Sequence, residues 1–162
     1  MCNGIFYGIK VMVILMKHEN EIFEKLLKFS QKAVKKNQVP IAAAVVDKNR
    51  QIIGLGSNKT NKKIITSHAE ILALNAACKK LKTNKLNNCS IWITVEPCMM
   101  CLGAIFNAGI RHICYFLENE KSGFIKSNHT FDLSKMSIHK VKDPEKNNQV
   151  KKIMKDFFKK LR

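Results

Sequence analysis

Residues 89–108 read CSIWITVEPCMMCLGAIFNA, and this stretch joins an apolar strand pattern to a helix pattern. The apolar run from Cys89 to Val95 predicts a strand. Pro97 is typical of the first position of a helix, where its missing N–H costs nothing, so we expect a helix from Pro97 to about Ala108. A strand followed at once by a helix is the building unit of α/β domains.

The segments on either side extend this alternation of strands and helices. The other predicted helices and strands cover, in order, 18–36 (helix), 41–46 and 51–56 (strands), 68–81 (helix), 110–116 and 136–141 (strands) and 145–161 (helix). The first two strands would form a hairpin, whereas strands separated by helices run parallel. We therefore expect an α/β fold of three layers, α/β/α, around a mixed central sheet of about five strands.

The length of 162 residues is typical of one domain, and no repeat or linker divides the chain. We expect that domain to span residues 16–162. Residues 1–15 contain an apolar run that is too short to cross a membrane and has no small-residue cleavage site, so they are predicted to be a poorly ordered N-terminal extension. The six cysteines include a C-x-x-C pair, and a chain of this size does not need disulfides, which is typical of a reduced cytoplasmic protein.

The charge balance favours a polyanionic partner. The chain has 29 Lys and Arg residues against 12 Asp and Glu residues, which gives a formal net charge of +17. Nucleic acid fits such an excess better than an acidic membrane surface does. A coding bias toward Lys, Asn and Ile is an alternative source of the same charge.

Two short motifs have the spacing of a metal site. Cys98 and Cys101 are three residues apart at the start of a predicted helix, so both sulfur atoms project from one face. His68, at the start of another predicted helix, would add a nitrogen ligand. One nitrogen and two sulfurs are typical of zinc, and three protein ligands leave a fourth position open for catalysis.

Glu70 lies two residues after His68 and outside the predicted ligand set. A carboxylate beside a zinc ion can take a proton from an activated water molecule and pass it to a leaving amine. Two structural alternatives remain at this stage. Ser67 and Glu70 fit a capping box, and the Cys98–Cys101 pair alone fits a redox pair or half of a structural zinc site. Met99 and Met100 are predicted to pack in the core.

These motifs together resemble the signature of the zinc deaminases. Within that superfamily, the chain is similar to the bacterial tRNA-specific adenosine deaminases from about Glu19 to Arg162, on a cytidine deaminase-like fold. The matching stretches are Val39-Pro40-Ile41, Gly54-Leu55-Gly56-Ser57-Asn58, Ser67-His68-Ala69-Glu70-Ile71, Thr94 to Ala104, Lys121-Ser122-Gly123 and Asp156 to Arg162. The final stretch is the one more particular to the tRNA enzymes.

The resemblance implies hydrolytic deamination of adenosine to inosine at the wobble position of a tRNA anticodon loop. It implies one zinc ion per subunit on His68, Cys98 and Cys101, with Glu70 as the proton shuttle. It further implies a homodimer whose sites use residues of both subunits. The substrate contacts that it implies are Asn58, Phe157, Phe158, Lys159, Lys160, Arg162 and Asn119. On the residues alone, Asn58 fits a turn equally well, and both Phe side chains fit the apolar stripe of a helix.

The chain departs from the family pattern at several positions. Asn119 stands where an Asp is usual, and we hypothesise that a neutral side chain there loosens discrimination between RNA and DNA. Ala42 replaces a usual glycine, and residues 64–66 replace Asp-Pro-Thr. Three alternatives stay open: a guanine or cytosine/cytidine deaminase on the same zinc core, a catalytically silent RNA-binding subunit, and one subunit of a heterodimer.

Overall fold

The structure is a computed structural model that describes residues 3–60, 64–124 and 132–161, with side chains from residue 16 onward. Its centre is a five-stranded sheet in the order β2-β1-β3-β4-β5. The strands are β1 (Ala42–Val46), β2 (Ile52–Ser57), β3 (Ser90–Val95), β4 (His112–Leu117) and β5 (Ser137–Lys140). β1 is antiparallel to both β2 and β3, whereas β3, β4 and β5 are parallel. The predicted mixed sheet of about five strands is confirmed.

Two helix layers cover the sheet, as the three-layer prediction requires. The helices are α1 (Asn3–Val34), α2 (Ala69–Leu81), α3 (Met99–Asn107) and α4 (Pro144–Lys159). Side chains alternate along β1, so that Ala43 and Val45 belong to the core beneath α2 and α3. Ala42 and Ala44 face the other way, into the core beneath α1 and α4. The alternation of strands and helices in the sequence therefore gives an α/β/α sandwich.

Two glycines of β2 bring α2 close to the sheet. A Cβ atom added at Gly54 would lie 2.2 Å from the Ala73 carbonyl oxygen, and one added at Gly56 would lie 2.2 Å from the Ala69 carbonyl oxygen. No side chain fits in such a gap, so the backbones of β2 and α2 are in direct contact. This close packing fixes the first turn of α2, which immediately follows His68.

The structure corrects two helix boundaries. Pro97 is not helical, because α3 begins at Met99 and Cys98 is its N-cap residue, with φ −77° and ψ 170°. Helix α1 begins at Asn3, well before the predicted start at His18. That residues 1–15 form an extension apart from the domain stays a prediction.

Candidate active site

The predicted metal ligands come together where two helices of the same layer begin. His68 is the N-cap residue of α2, and Cys98 is the N-cap residue of α3. The Nδ1 atom of His68 lies 3.7 Å from the Cys98 sulfur and 3.5 Å from the Cys101 sulfur. The three ligand atoms all lie within 4.8 Å of one another, and among the described residues they are the group that could hold a metal ion.

The geometry of this group fits a zinc ion. Zinc binds sulfur at about 2.3 Å and nitrogen at about 2.0 Å, and tetrahedral angles then place the ligand atoms roughly 3.5 Å apart. The two nitrogen–sulfur distances agree with that spacing. Two soft ligands and one borderline ligand select zinc over magnesium or calcium. His68, Cys98 and Cys101 could therefore hold a zinc ion with one coordination position open.

The two thiols interact with each other as well as with the histidine. A hydrogen bond from Cys101 lowers the pKa of Cys98 to about 5. The same hydrogen bond, together with burial, raises the pKa of Cys101. Cys98 is therefore a thiolate at neutral pH, which is the form that binds a metal.

Glu70 lies in the first turn of α2 with only 3% of its surface exposed. Burial raises its pKa to about 7, against the effects of its own backbone N–H and of His68. The alternative of a capping box with Ser67 is wrong, because the N-cap residue is His68 and its side chain makes no capping hydrogen bond. Glu70 thus points inward beside the thiols, where a carboxyl group can exchange protons with a reactant.

Asn58 connects the end of β2 to the start of α2. Its side-chain oxygen accepts a hydrogen bond of 2.8 Å from the Ala69 backbone N–H, and the residue is buried. This bond uses the carbonyl half of the amide, and the NH₂ half can donate to another group. The bond reaches a residue eleven positions along the chain, so it is not the local turn that fits the residues alone. It is compatible with the contact to a nucleoside that the resemblance implies.

A cavity of about 570 Å³ opens next to the end of β3. Its apolar wall includes Val95 and Leu117, and its polar rim includes Asn119 and Ser122. Phe158 of α4, which is 45% exposed, also lines this cavity. An apolar cavity of this size with a few polar groups at its rim is typical of a small-molecule or nucleobase site.

Glu96 organises the loop at the rim of this cavity, a role that the sequence motifs did not reveal. Its carboxylate is 4% exposed and accepts a hydrogen bond of 3.0 Å from the Asn119 backbone N–H. Gly123 makes room for it, since a Cβ atom there would lie 2.4 Å from the Glu96 carboxylate. The Asn119 side chain in turn accepts from the Ser122 backbone N–H at 3.1 Å. The one available signal was an acidic residue at the end of an apolar strand.

The remaining predicted substrate residues do not all lie at the same cavity. Phe157 is buried and lines a cleft between α1 and α4, rather than the cavity that Phe158 lines. Lys159 is exposed at the end of α4, and Lys160 is exposed at the edge of the same cleft. Arg162 lies outside the described residues.

Four apolar side chains near the ligands are exposed to solvent. Met99 and Met100, in the first turn of α3, are 40% and 39% exposed, so the prediction that they pack in the core is wrong. Ile64 and Ile65, in the loop before His68, are 54% and 83% exposed. No helix in the described part of the chain is long and apolar enough to span a membrane.

Comparison with known proteins places this site in a family. The chain matches the MafB19-like deaminase family over residues 17–162. It is 36% identical over 143 residues to a tRNA-specific adenosine deaminase of Rickettsia bellii (strain RML369-C), covering 84% of this chain and 97% of that protein.

Solved structures share the fold. One, from a study of A-to-I editing by tRNA:A34 deaminases at the wobble position of transfer RNA, superposes with a TM-score of 0.72 at 26% identity, covering 81% of this chain and 99% of that one. A guanine deaminase from Nitrosomonas europaea has a TM-score of 0.69 at 22% identity, covering 84% of this chain and 82% of that one. The chain therefore belongs to the MafB19-like deaminase family and to the tRNA-specific adenosine deaminases.

Proposed function

We propose that this protein is a zinc-dependent hydrolase that converts adenosine to inosine at the wobble position of a tRNA anticodon loop. The observation that carries the proposal is the meeting of His68, Cys98 and Cys101 beside the buried carboxyl group of Glu70. Family membership over nearly the whole chain supports adenosine in tRNA as the substrate.

The residues of the site have two roles in hydrolysis, which are metal binding and proton transfer. His68, Cys98 and Cys101 would hold the zinc ion, which would lower the pKa of water and so supply a nucleophile near neutral pH. Glu70 takes one proton from the attacking water and delivers it to N1 of the ring, and it then carries the second water proton from the new hydroxyl group to the amino group, which leaves C6 as ammonia. Adenosine and water thereby yield inosine and ammonia. The burial of Glu70 excludes bulk water from this transfer.

We assign the substrate contacts to Asn58 beside the start of α2, to residues that line the cavity next to β3, and to the end of α4. Asn58 donates from its NH₂ group to the target nucleoside, and Phe158 stacks on an extruded base. Asn119 lies at the cavity rim, where a neutral side chain accepts the sugar or phosphate of either nucleic acid. Lys159, Lys160 and Arg162 contribute positive charge near phosphates. Phe157 contributes by packing α4 onto α1 rather than by touching the base.

We also propose that the protein is a homodimer with both sites near the interface. The exposed apolar side chains of Ile64, Ile65, Met99 and Met100 lie close to the metal ligands in sequence and support an interface there. Light scattering is expected to give twice the monomer mass of 18.5 kDa. The site requires reduced thiols, and this requirement supports a cytoplasmic location, where such thiols persist.

The decisive experiment compares substrates of different classes. The zinc-loaded protein is incubated with an anticodon stem-loop RNA that carries a wobble adenosine, and separately with free guanine, cytosine and cytidine. Ammonia release and inosine in the digested RNA are measured. We expect inosine from the RNA and no ammonia from the small bases. A surface with a large positive charge binds phosphates, and a neutral base has none. Ammonia from guanine or cytosine alone would instead identify the base deaminase alternative.

A further inference from the structure

The two helices of one layer, α1 and α4, run side by side in the same direction. Glu19, at the middle of α1, and Asp143, just before α4, both pair with Lys146 in the first turn of α4, at 2.6 Å and 3.1 Å. Near their last turns, Val34 of α1 and Phe157 of α4 line one cleft. The second half of α1 therefore runs alongside α4 in the same direction, and the surfaces of these two segments form one continuous outer face.

Charge is segregated along this outer face. The middle of α1 and the start of α4 carry five acidic residues, which are Glu19, Glu21, Glu24, Asp143 and Glu145. The end of α1 and the turn after it carry Lys25, Lys28, Lys32, Lys35 and Lys36 with no acidic residue among residues 25–36. The second half of α4 carries Lys151, Lys152, Lys155 and Lys159 with one acid, Asp156. We call these nine lysines the lysine face.

Helical periodicity places the lysine face on the solvent side of both helices. At about 100° per residue, Lys25, Lys28 and Lys32 fall within a sector roughly 60° wide, opposite the buried side chains of Leu26 and Ala33. Lys151, Lys152, Lys155 and Lys159 likewise fall within about 100°, away from the buried Val150 and Phe157. All nine are exposed.

Helix stability does not account for so much charge. Lysines stabilise the negative end of a helix only within its last turn, which explains Lys32 and Lys159 but not Lys25, Lys28 or Lys151. Among the residues that the structure describes, none of the nine is in an ion pair. Holding like charges together without acidic partners costs free energy, so an external anion accounts for their arrangement.

We propose that the lysine face binds the phosphates of the double-helical stem of the RNA substrate. This inference rests on the proposed function. Lys159, at one end of the face, is next in sequence to Phe158, which lines the cavity next to β3. An RNA loop held in that cavity would therefore continue into its stem along this face. Nine exposed lysines on one surface can neutralise the phosphates of a duplex, and such contacts depend on charge rather than on base sequence.

The chain supplies a matched control for this surface. Lys79, Lys80 and Lys82 are exposed at the end of α2, whose other end follows His68. The 13 residues of α2 place these lysines about 20 Å from the metal ligands, in the other helix layer. The triple variant K25Q/K28Q/K32Q can therefore be compared with K79Q/K80Q/K82Q, which removes the same charge from a distant surface.

The experiment measures the dissociation constant of an anticodon stem-loop RNA between about 50 and 200 mM salt. For K25Q/K28Q/K32Q we expect the slope of log Kd against log salt to fall by roughly two to three units, and for K79Q/K80Q/K82Q we expect the wild-type slope. A single-stranded oligonucleotide with the loop sequence alone should lose affinity for neither variant. Thermal melting checks that both variants are folded.

Several outcomes would overturn the inference. The first is an unchanged salt slope for K25Q/K28Q/K32Q. The others are an equal fall in the slope for both variants, or an equal fall when the single-stranded oligonucleotide replaces the stem-loop RNA. Inosine formation at saturating RNA is measured in parallel and is expected to be unchanged. Absence of inosine with the wild-type protein would instead contradict the proposed function, while the slopes would still decide on the lysine face.

Discussion

Glu70 is the residue whose replacement separates proton transfer from metal binding. We predict that Glu70→Gln lowers the turnover of the stem-loop RNA by roughly 100-fold or more, because an amide cannot carry the proton. Zinc content should stay at one ion per chain, since Glu70 is outside the ligand set His68, Cys98 and Cys101. Elemental analysis and inosine release on the same sample test both statements, and full activity in the variant would refute the proton role.

The contact between Gly123 and Glu96 gives a second prediction at this scale. In Gly123→Ala the new methyl group displaces the Glu96 carboxylate, which is buried and holds the Asn119 backbone N–H. We expect the KM for RNA to rise several-fold with little change in kcat, because the cavity rim moves while the metal ligands stay in place. Zinc content is measured alongside. A loss of zinc would show that Glu96 supports the metal site instead.

At the level of single residues, the sequence predicted side chains that act through a fixed spacing. His68, Cys98 and Cys101 are recognisable because metal ligation requires particular residue types at short intervals. The role of Glu96 was not predicted, because it depends on Asn119 and Gly123. Both are more than twenty residues away in sequence and contact Glu96 only in the folded chain. Phe157 and Phe158 are adjacent in sequence, yet only their packing separates a buried side chain from an exposed one.

The pairing of α2 with β2 is the element that places His68. Every strand and every helix of the core was predicted from apolar periodicity, because burial on one face or both leaves that pattern in the sequence. The boundary at Pro97 was wrong, because proline is compatible with the residue before an N-cap as well as with the first helical turn. Periodicity also cannot show how closely α2 approaches β2, which depends on Gly54 and Gly56.

A prediction about this pairing follows from Gly56. In Gly56→Ala the methyl group would lie 2.2 Å from the Ala69 carbonyl oxygen and 2.6 Å from the Ala73 backbone nitrogen, so α2 must move outward. We expect a loss of roughly 2–4 kcal/mol in the free energy of unfolding, as in other overpacked cores, together with weaker zinc binding.

The control for Gly56→Ala is Gly103→Ala in α3, where an added Cβ atom has no neighbour within 4 Å. Alanine in a helix interior stabilises by about 0.5–1 kcal/mol relative to glycine, so we expect this variant to be neutral or slightly more stable. Urea unfolding of both variants measures the difference. Equal stability of the two would mean that α2 and β2 are not in tight contact.

On the scale of the whole molecule, the metal site joins two helices that start at separate points of the chain. His68 precedes α2 and the two cysteines belong to the start of α3, so a bound zinc ion crosslinks parts of the core that unfold together. Any ligand that binds only the folded protein stabilises it by mass action, about 4 kcal/mol at a thousand times its Kd. For a chain of this size, that shift raises Tm by roughly 10 °C.

We therefore predict that chelation of zinc lowers Tm by about that amount and that added zinc restores it. In Cys98→Ala, where two ligands remain, the melting temperature should be low and should no longer respond to zinc. Glu70→Gln should keep the full zinc response although it lacks activity, because the ligand set is intact. Differential scanning calorimetry of the three proteins with and without chelator decides the matter. A zinc-dependent rise in Tm that persists in Cys98→Ala would mean that the stabilising ion is held elsewhere.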